Sequence, residues 1–244
     1  FDTERGIDTV LSGQTELDDK ALSKITPILF KDTTGYPVVA ETLLKVLTAN
    51  TTHHIDQETG IIKPSPKDTT ISINYPALTA KTAVVFDTIS QVADSVYAME
   101  QKLYSYKDNR KYWGEFYGDM NAIMSCIQSS SAINLLTAQE QIKEGTQAEE
   151  GKKRSVNVAT DRKKTSAIMV QDDKLIPVCG SYAYAMKVSK YVGTLVRLYI
   201  AGSKYLGASN PTTIANVLAG SRLGVDISKI PNPTMADILN MGEK

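Results

Sequence analysis

The chain of 244 residues has little of what most often marks a function: two cysteines, two histidines, one tryptophan and four phenylalanines. Two cysteines cannot build the disulfide framework that holds small secreted folds together. No apolar run approaches the ~20 residues a helix needs to span a bilayer, which excludes a helical integral membrane protein. There is no phosphate-cradling glycine-rich loop, no nucleophile elbow, no Cys-x-x-Cys, and no His pair at helical ligand spacing. Net charge is also missing, since 27 basic side chains balance 27 acidic ones. A protein basic on every side is therefore excluded.

What is present is enough apolar material, 42% of residues, to build a core, so wholesale disorder is excluded as well. The length fits one large domain or two small ones. The neutral sum hides a gradient. Residues 1–151 carry 13 basic and 21 acidic groups, net −8, while residues 152–244 carry 14 and 6, net +8. Such segregation suits a polyanionic partner or head-to-tail association of copies. The chain opens on Phe1 with no charged-then-apolar leader after it, and the expectation is a processed or partial chain. Asn50-Thr51-Thr52 fits the glycosylation acceptor pattern, which a Thr-rich chain also produces by chance.

Along the chain, residues 1–20 read as a polar, extended arm. Asp18 or Asp19 is placed to cap a helix through Leu22, Ile25 and Leu29. Val38 to about Ala49 reads as a helix, residues 50–68 as loop, and Thr69–Tyr75 as a strand by its period-two alternation. The strongest periodicity runs through Val85, Ile89, Val92, Val96, Met99, Leu103 and Tyr106, spaced four and three. It resumes at Trp113, Tyr117, Met120, Met124 and Ile127, and the helical pattern lasts to about Lys143. Asp108-Asn109 is a candidate turn, yet the retained phase also fits one long helix. Residues 144–165 are nearly free of apolar side chains and read as a solvated basic loop. Ala167–Val170 and Leu175–Val178, joined at Gln171-Asp172-Asp173-Lys174, form the best hairpin candidate. Ser181–Leu206 reads as a third major helix ended by Gly207. A short helix then starts at Asn210-Pro211, Gly220–Gly224 marks a helix end, and a last turn spans Met235–Met241.

The architecture this implies is a mainly α helical bundle with long central helices and a small β-hairpin, carrying extended N-terminal and C-terminal arms. Its parts are an arm over 1–20, a core over 21–206 and short helices over 207–244. The core divides into sub-lobes 21–143 and 166–206, joined by the basic loop 144–165.

For chemistry, His53, His54, Asp56 and Glu58 could ligate a metal, but neighbours in an irregular loop rarely converge on one ion, so a solvated loop is the expectation and no metal or cofactor is assigned. Cys126 and Cys179 read as buried free thiols, and nothing brings a histidine to either as a thiol nucleophile. Asp172 and Asp173 suit a turn. The feature given most weight is the 181–206 helix. On it Lys187, Lys190, Arg197 and Lys204 would form a stripe bordered by Tyr184, Tyr191 and Tyr205, opposite an apolar face. Basic groups neutralise phosphates, and tyrosine rings stack on single-stranded bases without sequence preference. Lys152, Lys153, Arg154, Arg162, Lys163 and Lys164 would close over the same groove. The ordinary alternative is a solvated basic face with tyrosines at its edge.

The functional expectation is a non-enzymatic structural protein, a homo-oligomer that self-assembles around single-stranded nucleic acid as a viral coat protein or nucleoprotein does. Its place would then be the virion or host cytoplasm. The alternative class is a helical protein-interaction or host-surface module, secreted, with the 167–178 hairpin as a partner- or membrane-inserting tongue in its pore-forming version. An enzyme is the third class.

Overall fold

In the computed structural model of the protein the described residues are 1–4, 18–32, 36–104, 109–143, 174–209, 219–222, 227, 230–234 and 237. They divide into two compact units. The first holds Phe1–Gln139 and Val178–Ala185, and the second holds Glu140–Pro177 and Met186–Lys244.

In the first unit, α1 (Asp19–Leu22) is a single turn whose N-cap, Asp18, accepts from the Ala21 amide at 2.7 Å. The cap expected from sequence is there, but the helix stops at Leu22 and does not run on to Leu29. Helix α2 (Val38–Thr48) matches its expected span, and Val39, Leu43, Val46 and Leu47 are all buried. Residues 50–68 hold two strands that the sequence reading missed, β1 (His53–Asp56) and β2 (Ile62–Lys63). With β3 (Thr70–Ile73) they make an antiparallel sheet in the order β2-β1-β3. The β1–β2 turn closes on Gly60, which has φ +70° and lies so near the Phe30 ring that any Cβ would overlap it.

The helical pattern read from about Ala80 to Lys143 divides, among the described residues, into five elements, the last of them a strand over Glu140–Lys143. Strand β4 (Ala83–Phe86) precedes α3 (Ile89–Tyr104) and α4 (Asn109–Ser129), and β5 (Ile133–Leu136) returns to pair in parallel with β4. Helices α2, α3 and α4 pack on one another. Of the expected seam, Ile89, Val92, Val96, Met99, Met120, Met124 and Ile127 are buried while Trp113 and Tyr117 are only half-buried, and Phe116 and Ile123, which lay outside it, are buried with them. Val85 stays exposed because it points outward from a strand, and Leu103 is exposed near the end of α3. The first three residues form a further extended rung. Asp2 bonds to Ile28 and Phe30, and the Phe1 carbonyl accepts from Asp87 N at 3.0 Å. The Phe1 ring stacks on Phe86, with centroids 5.1 Å apart. After Val178 the chain closes the unit through α5 (Tyr182–Ala185), whose Tyr184 is fully buried against Phe116.

The second unit is built from short strands. Strand β6 (Glu140–Lys143) pairs antiparallel with β7 (Lys174–Pro177). A 3-10 turn covers Val188–Lys190. Strand β8 (Thr194–Leu195) pairs with β11 (Gly220–Ser221), and β9 (Arg197–Ala201) with β10 (Lys204–Ala208). The partner of Leu175–Pro177 is thus β6, and Ala167–Val170, Asp172 and Asp173 lie outside the described residues.

The expected mainly α bundle is therefore overturned. The structure is 38% helical and 24% strand, with several small sheets and, among the described residues, five α-helices, which makes it a mixed α and β protein. The long helix expected over 181–206 is replaced by α5, a 3-10 turn and three strands. Gly207 ends no helix but lies within β10, where a Cβ would overlap the Ile227 side chain. Gly220 and Ser221, read as a helix end, form β11. Thr234 and Asp237 cap each other reciprocally, with Thr234 N donating to Asp237 Oδ2 at 2.7 Å and Asp237 N to Thr234 Oγ1 at 3.3 Å. The Asn210-Pro211 helix lies outside the described residues.

Phe116 is fully buried and meets Tyr97, Trp113, Tyr117 and Tyr184. Replacing it with Ala should lower unfolding stability by about 3–5 kcal/mol, the usual cost of emptying an aromatic site. Urea denaturation of wild type and F116A checks this, and a cost under about 1 kcal/mol contradicts the packing described.

Candidate functional site

The residues chosen from sequence do not share one helix face, because the helix is absent. Tyr184 sits in the first unit with no exposed surface, so it presents no ring for a base to stack on. Lys187 and Lys190 are exposed around the 3-10 turn, with Tyr191 half-buried just after it. Arg197 begins β9 and is committed. Its guanidinium makes a two-pronged ion pair with Glu140, Nη2 lying 2.9 Å from Oε1 and Nε closing on Oε2, and it stacks on the Tyr199 ring at 4.9 Å. The Glu140 hydrogen bond and charge hold the Arg197 pKa above its ordinary value despite partial burial. Lys204 and Tyr205 are exposed on β10. Lys152, Lys153, Arg154, Arg162, Lys163 and Lys164 lie outside the described residues.

The candidate metal ligands are spread by strand geometry. His53, His54 and Asp56 belong to β1, so His53 faces the opposite side of the sheet from the other two, and Glu58 follows in the turn. His54 Nδ1 bonds Ser72 Oγ at 2.7 Å across β1–β3. Asp56 Oδ1 accepts from the Thr59 hydroxyl at 2.8 Å and amide at 3.1 Å, and Oδ2 from the Thr69 hydroxyl at 3.3 Å. Burial pushes the Asp56 pKa up, but the Thr59 hydroxyl, Lys63 and the further hydrogen bonds outweigh it and hold the carboxylate below its ordinary value. Its lone pairs thus serve the turn. Among the described residues no group of three or more His, Cys, Asp or Glu side chains is placed to hold a metal. Both cysteines are free thiols, Cys126 half-buried and Cys179 buried, and burial pushes the Cys179 pKa up to about 12. That leaves almost no thiolate at neutral pH, so Cys179 is not an activated nucleophile. Among the described residues no helix is long and apolar enough to cross a membrane.

The surface the sequence reading missed is the β9–β10 ribbon. Ala201 pairs with Lys204 across a two-residue loop that starts at Gly202, whose φ of +66° suits a tight hairpin turn. Alternation then puts Leu198, Ile200 and Tyr205 on one face, and they are 57%, 66% and 59% exposed. Such contiguous exposure of large apolar side chains marks an interaction surface more than scattered single residues do. At the far end of that face Ile227 is fully buried and packs over Gly207.

The two edges of the ribbon differ. In a two-residue hairpin the Ile200–Tyr205 pair turns its main-chain groups outward. On the β10 side Asn232 occupies them, its amide donating to Tyr205 O at 2.7 Å and its Oδ1 accepting from Tyr205 N at 2.8 Å. On the β9 side, no strand among the described residues pairs with the outer edge of Leu198–Ile200. Among the described residues, strand β9 is an open, apolar edge.

With this geometry in view, comparison of the chain with protein-family models, with curated proteins and with solved structures finds no match.

The Arg197–Glu140 pair holds side chains that remain partly exposed, 22% and 39%. A double-mutant cycle of Arg197→Gln and Glu140→Gln should return a coupling of about 0.2–1 kcal/mol that shrinks as salt is added. A coupling that salt does not change would contradict a solvent-screened pair.

Proposed function

We propose that this chain is a non-enzymatic structural protein that assembles with copies of itself. The observation that carries the reading is the β9 edge, where outward main-chain groups and the exposed Leu198 and Ile200 lie on one strand. An open strand of this kind is a template for another chain, which natural sheets otherwise blunt with charge, proline or cover. The occupant is a second copy. Its support is the charge segregation of the sequence, 21 acidic against 13 basic groups over residues 1–151 and 14 basic against 6 acidic over 152–244. The front of one copy and the back of the next attract, and apolar burial and strand pairing then hold the contact.

Single-stranded nucleic acid is the cargo this reading gives to the basic half. Support comes from Lys187, Lys190 and Lys204, all exposed, and from Tyr205, whose ring is 59% exposed. A subunit that covers a few nucleotides needs only a few such charges. Tyr184 has no part in it, and Arg197 would first have to leave Glu140.

Sedimentation of the purified chain tests the assembly. Wild type should sediment above monomer size at low salt, dissociate as salt rises, and become monomeric in Ile200→Lys. A monomer under every condition, or an I200K variant that assembles like wild type, would refute the reading. The cargo has its own test in binding of a labelled single-stranded oligonucleotide. Lys187→Ala and Lys190→Ala should weaken it about equally for all sequences and flatten the salt slope by about 1 per lysine. Unchanged affinity would remove nucleic acid from the reading while leaving self-assembly standing.

A further inference from the structure

The most unusual polar group among the described residues is Glu100. It lies on α3 facing α4, is 3% exposed, and its Oε2 has no hydrogen-bond partner. Its carboxyl group is hydrogen-bonded to Asp119 of α4, and Glu115 stands one turn before Asp119 on the same helix. Two carboxyls in hydrogen-bond contact inside a helix seam cannot both be ionised at low cost, because each resists the other's charge and neither is well solvated. One shared proton resolves the conflict: a Glu100 hydroxyl donates to an ionised Asp119.

Among the described residues no cation is seen to act on Glu100. The charges that act on Glu100 are Asp119 and Glu115, both negative. The nearby basic groups sit elsewhere: the Lys111 ammonium lies over the Tyr104 ring at 4.7 Å and that of Lys102 over the Tyr36 ring at 5.6 Å. On α2, the third helix of the bundle, the charged side chains are Lys45, which is exposed, and Glu41, which accepts from Tyr36 Oη at 3.3 Å. Tyr97 and Tyr112 flank the seam and bond to each other through their hydroxyls at 3.3 Å.

We propose that the Glu100–Asp119 pair makes the α3–α4 seam a proton-operated latch, closed while one proton is shared and loosened when both carboxyls ionise. Burial, then the Asp119 hydrogen bond and the charges of Asp119 and Glu115, raise the Glu100 pKa to about 7. Asp119 is raised mainly by burial as well, while its bond from Glu100 pulls the other way, as expected of the ionised acceptor. The sign follows. A carboxyl whose folded pKa is raised binds its proton more tightly in the native state than in the unfolded chain. The stability it contributes is complete below the ordinary carboxylate range and is lost as pH rises through about 7. The latch therefore works across near-neutral pH.

The chain has a reporter built in. Its one tryptophan, Trp113, stands on α4 with its ring 4.9 Å from that of Tyr97 on α3, in the same seam. On the whole chain, Trp113 emission and the thermal midpoint are followed as pH is raised from about 5.5 to about 8.5. Wild type should show a falling midpoint and a red-shifted emission centred near pH 7. Glu100→Gln should show neither, since the amide donates to Asp119 at every pH. The β1 histidines are present in both proteins, so the difference isolates position 100. Should E100Q not fold, Asp119→Asn removes the like charge and should move the transition to lower pH. A flat wild-type profile, an E100Q profile that keeps the slope, or a D119N transition that does not move would each overturn the latch.

Discussion

Helix α3 is the constraint on which the first unit depends, because it joins an apolar face to two buried serines that fix distant backbone. The Ser95 hydroxyl accepts from the Ala40 amide at 3.1 Å, at the N-terminus of α2, where no intrahelical partner exists. The Ser90 hydroxyl accepts from the Gln139 amide at 2.9 Å and donates to the Val178 carbonyl at 2.7 Å. One residue thus fixes both the point where the chain leaves the unit and the point where it returns. Buried hydroxyls satisfied by backbone specify position in a way apolar contact alone does not, since an unmade bond there costs about 1–3 kcal/mol. The rest of the unit packs against this frame. Tyr75, almost fully buried, reaches Asn134 of β5 at 2.9 Å, and Gly180, at φ +77°, lets the returning segment lie flat on Phe116.

That frame explains which parts of the structure could be read from sequence. The α2 face, the Asp18 cap, β3 and the buried stripe through Ile89, Val92, Val96 and Met99 are local signals, set by spacing alone. What failed was the decision between periods. Residues 181–206 carry Val188, Val192, Leu195, Val196 and Tyr199 at helical spacing, and the same stretch carries Arg197-Leu-Tyr-Ile-Ala at period two followed by Gly202-Ser203. The β-branched and aromatic content and the Gly-Ser pair were the strand and hairpin signal, and they prevailed where the cross-strand pairing of β9 with β10 was available. Likewise the seam phase running across residues 105–108 fitted one long helix as well as a turn at Asp108-Asn109, and Met120 and Ile123 bury themselves by packing α4 alongside α2 and α3. A retained phase does not distinguish a straight helix from two that pack together. The His53–Asp56 strand could not be seen, since two histidines and an aspartate carry no apolar alternation, and its register is set by β2 and β3.

The candidate site was less legible than the fold, for a related reason. A charge stripe is a statement about a helix face, and it has no meaning once the helix is gone. Tyr184 reads as a border residue on a helical wheel and is a core residue in fact. Arg197 reads as a phosphate contact and is already matched by Glu140, 57 residues away in sequence. What survives is the part that needs no helix. Exposed lysines remain around the 3-10 turn, and the segregation of charge along the chain belongs to composition. The open β9 edge could not be inferred at all without knowing that Asn232 takes up the opposite edge of the ribbon.

The buried Glu100 sets the last physical point. Replacing a buried ionic or polar pair with well-packed apolar residues is often neutral or stabilising, so such a pair is weak evidence of a need for stability. In this seam the surroundings sharpen that argument. Met99, Phe116, Met120 and Ile123 already supply an apolar interior, and a methionine in place of Glu100 would extend it without an orphaned oxygen. The Glu100–Asp119 pair therefore adds nothing to the seam that apolar packing would not supply more simply at high pH. What it adds is dependence on a proton. Its contribution is favourable while the pair holds a proton and turns against the seam when both carboxyls are ionised. Packing fixes where α3 and α4 meet, and the carboxyl pair makes the strength of that meeting conditional.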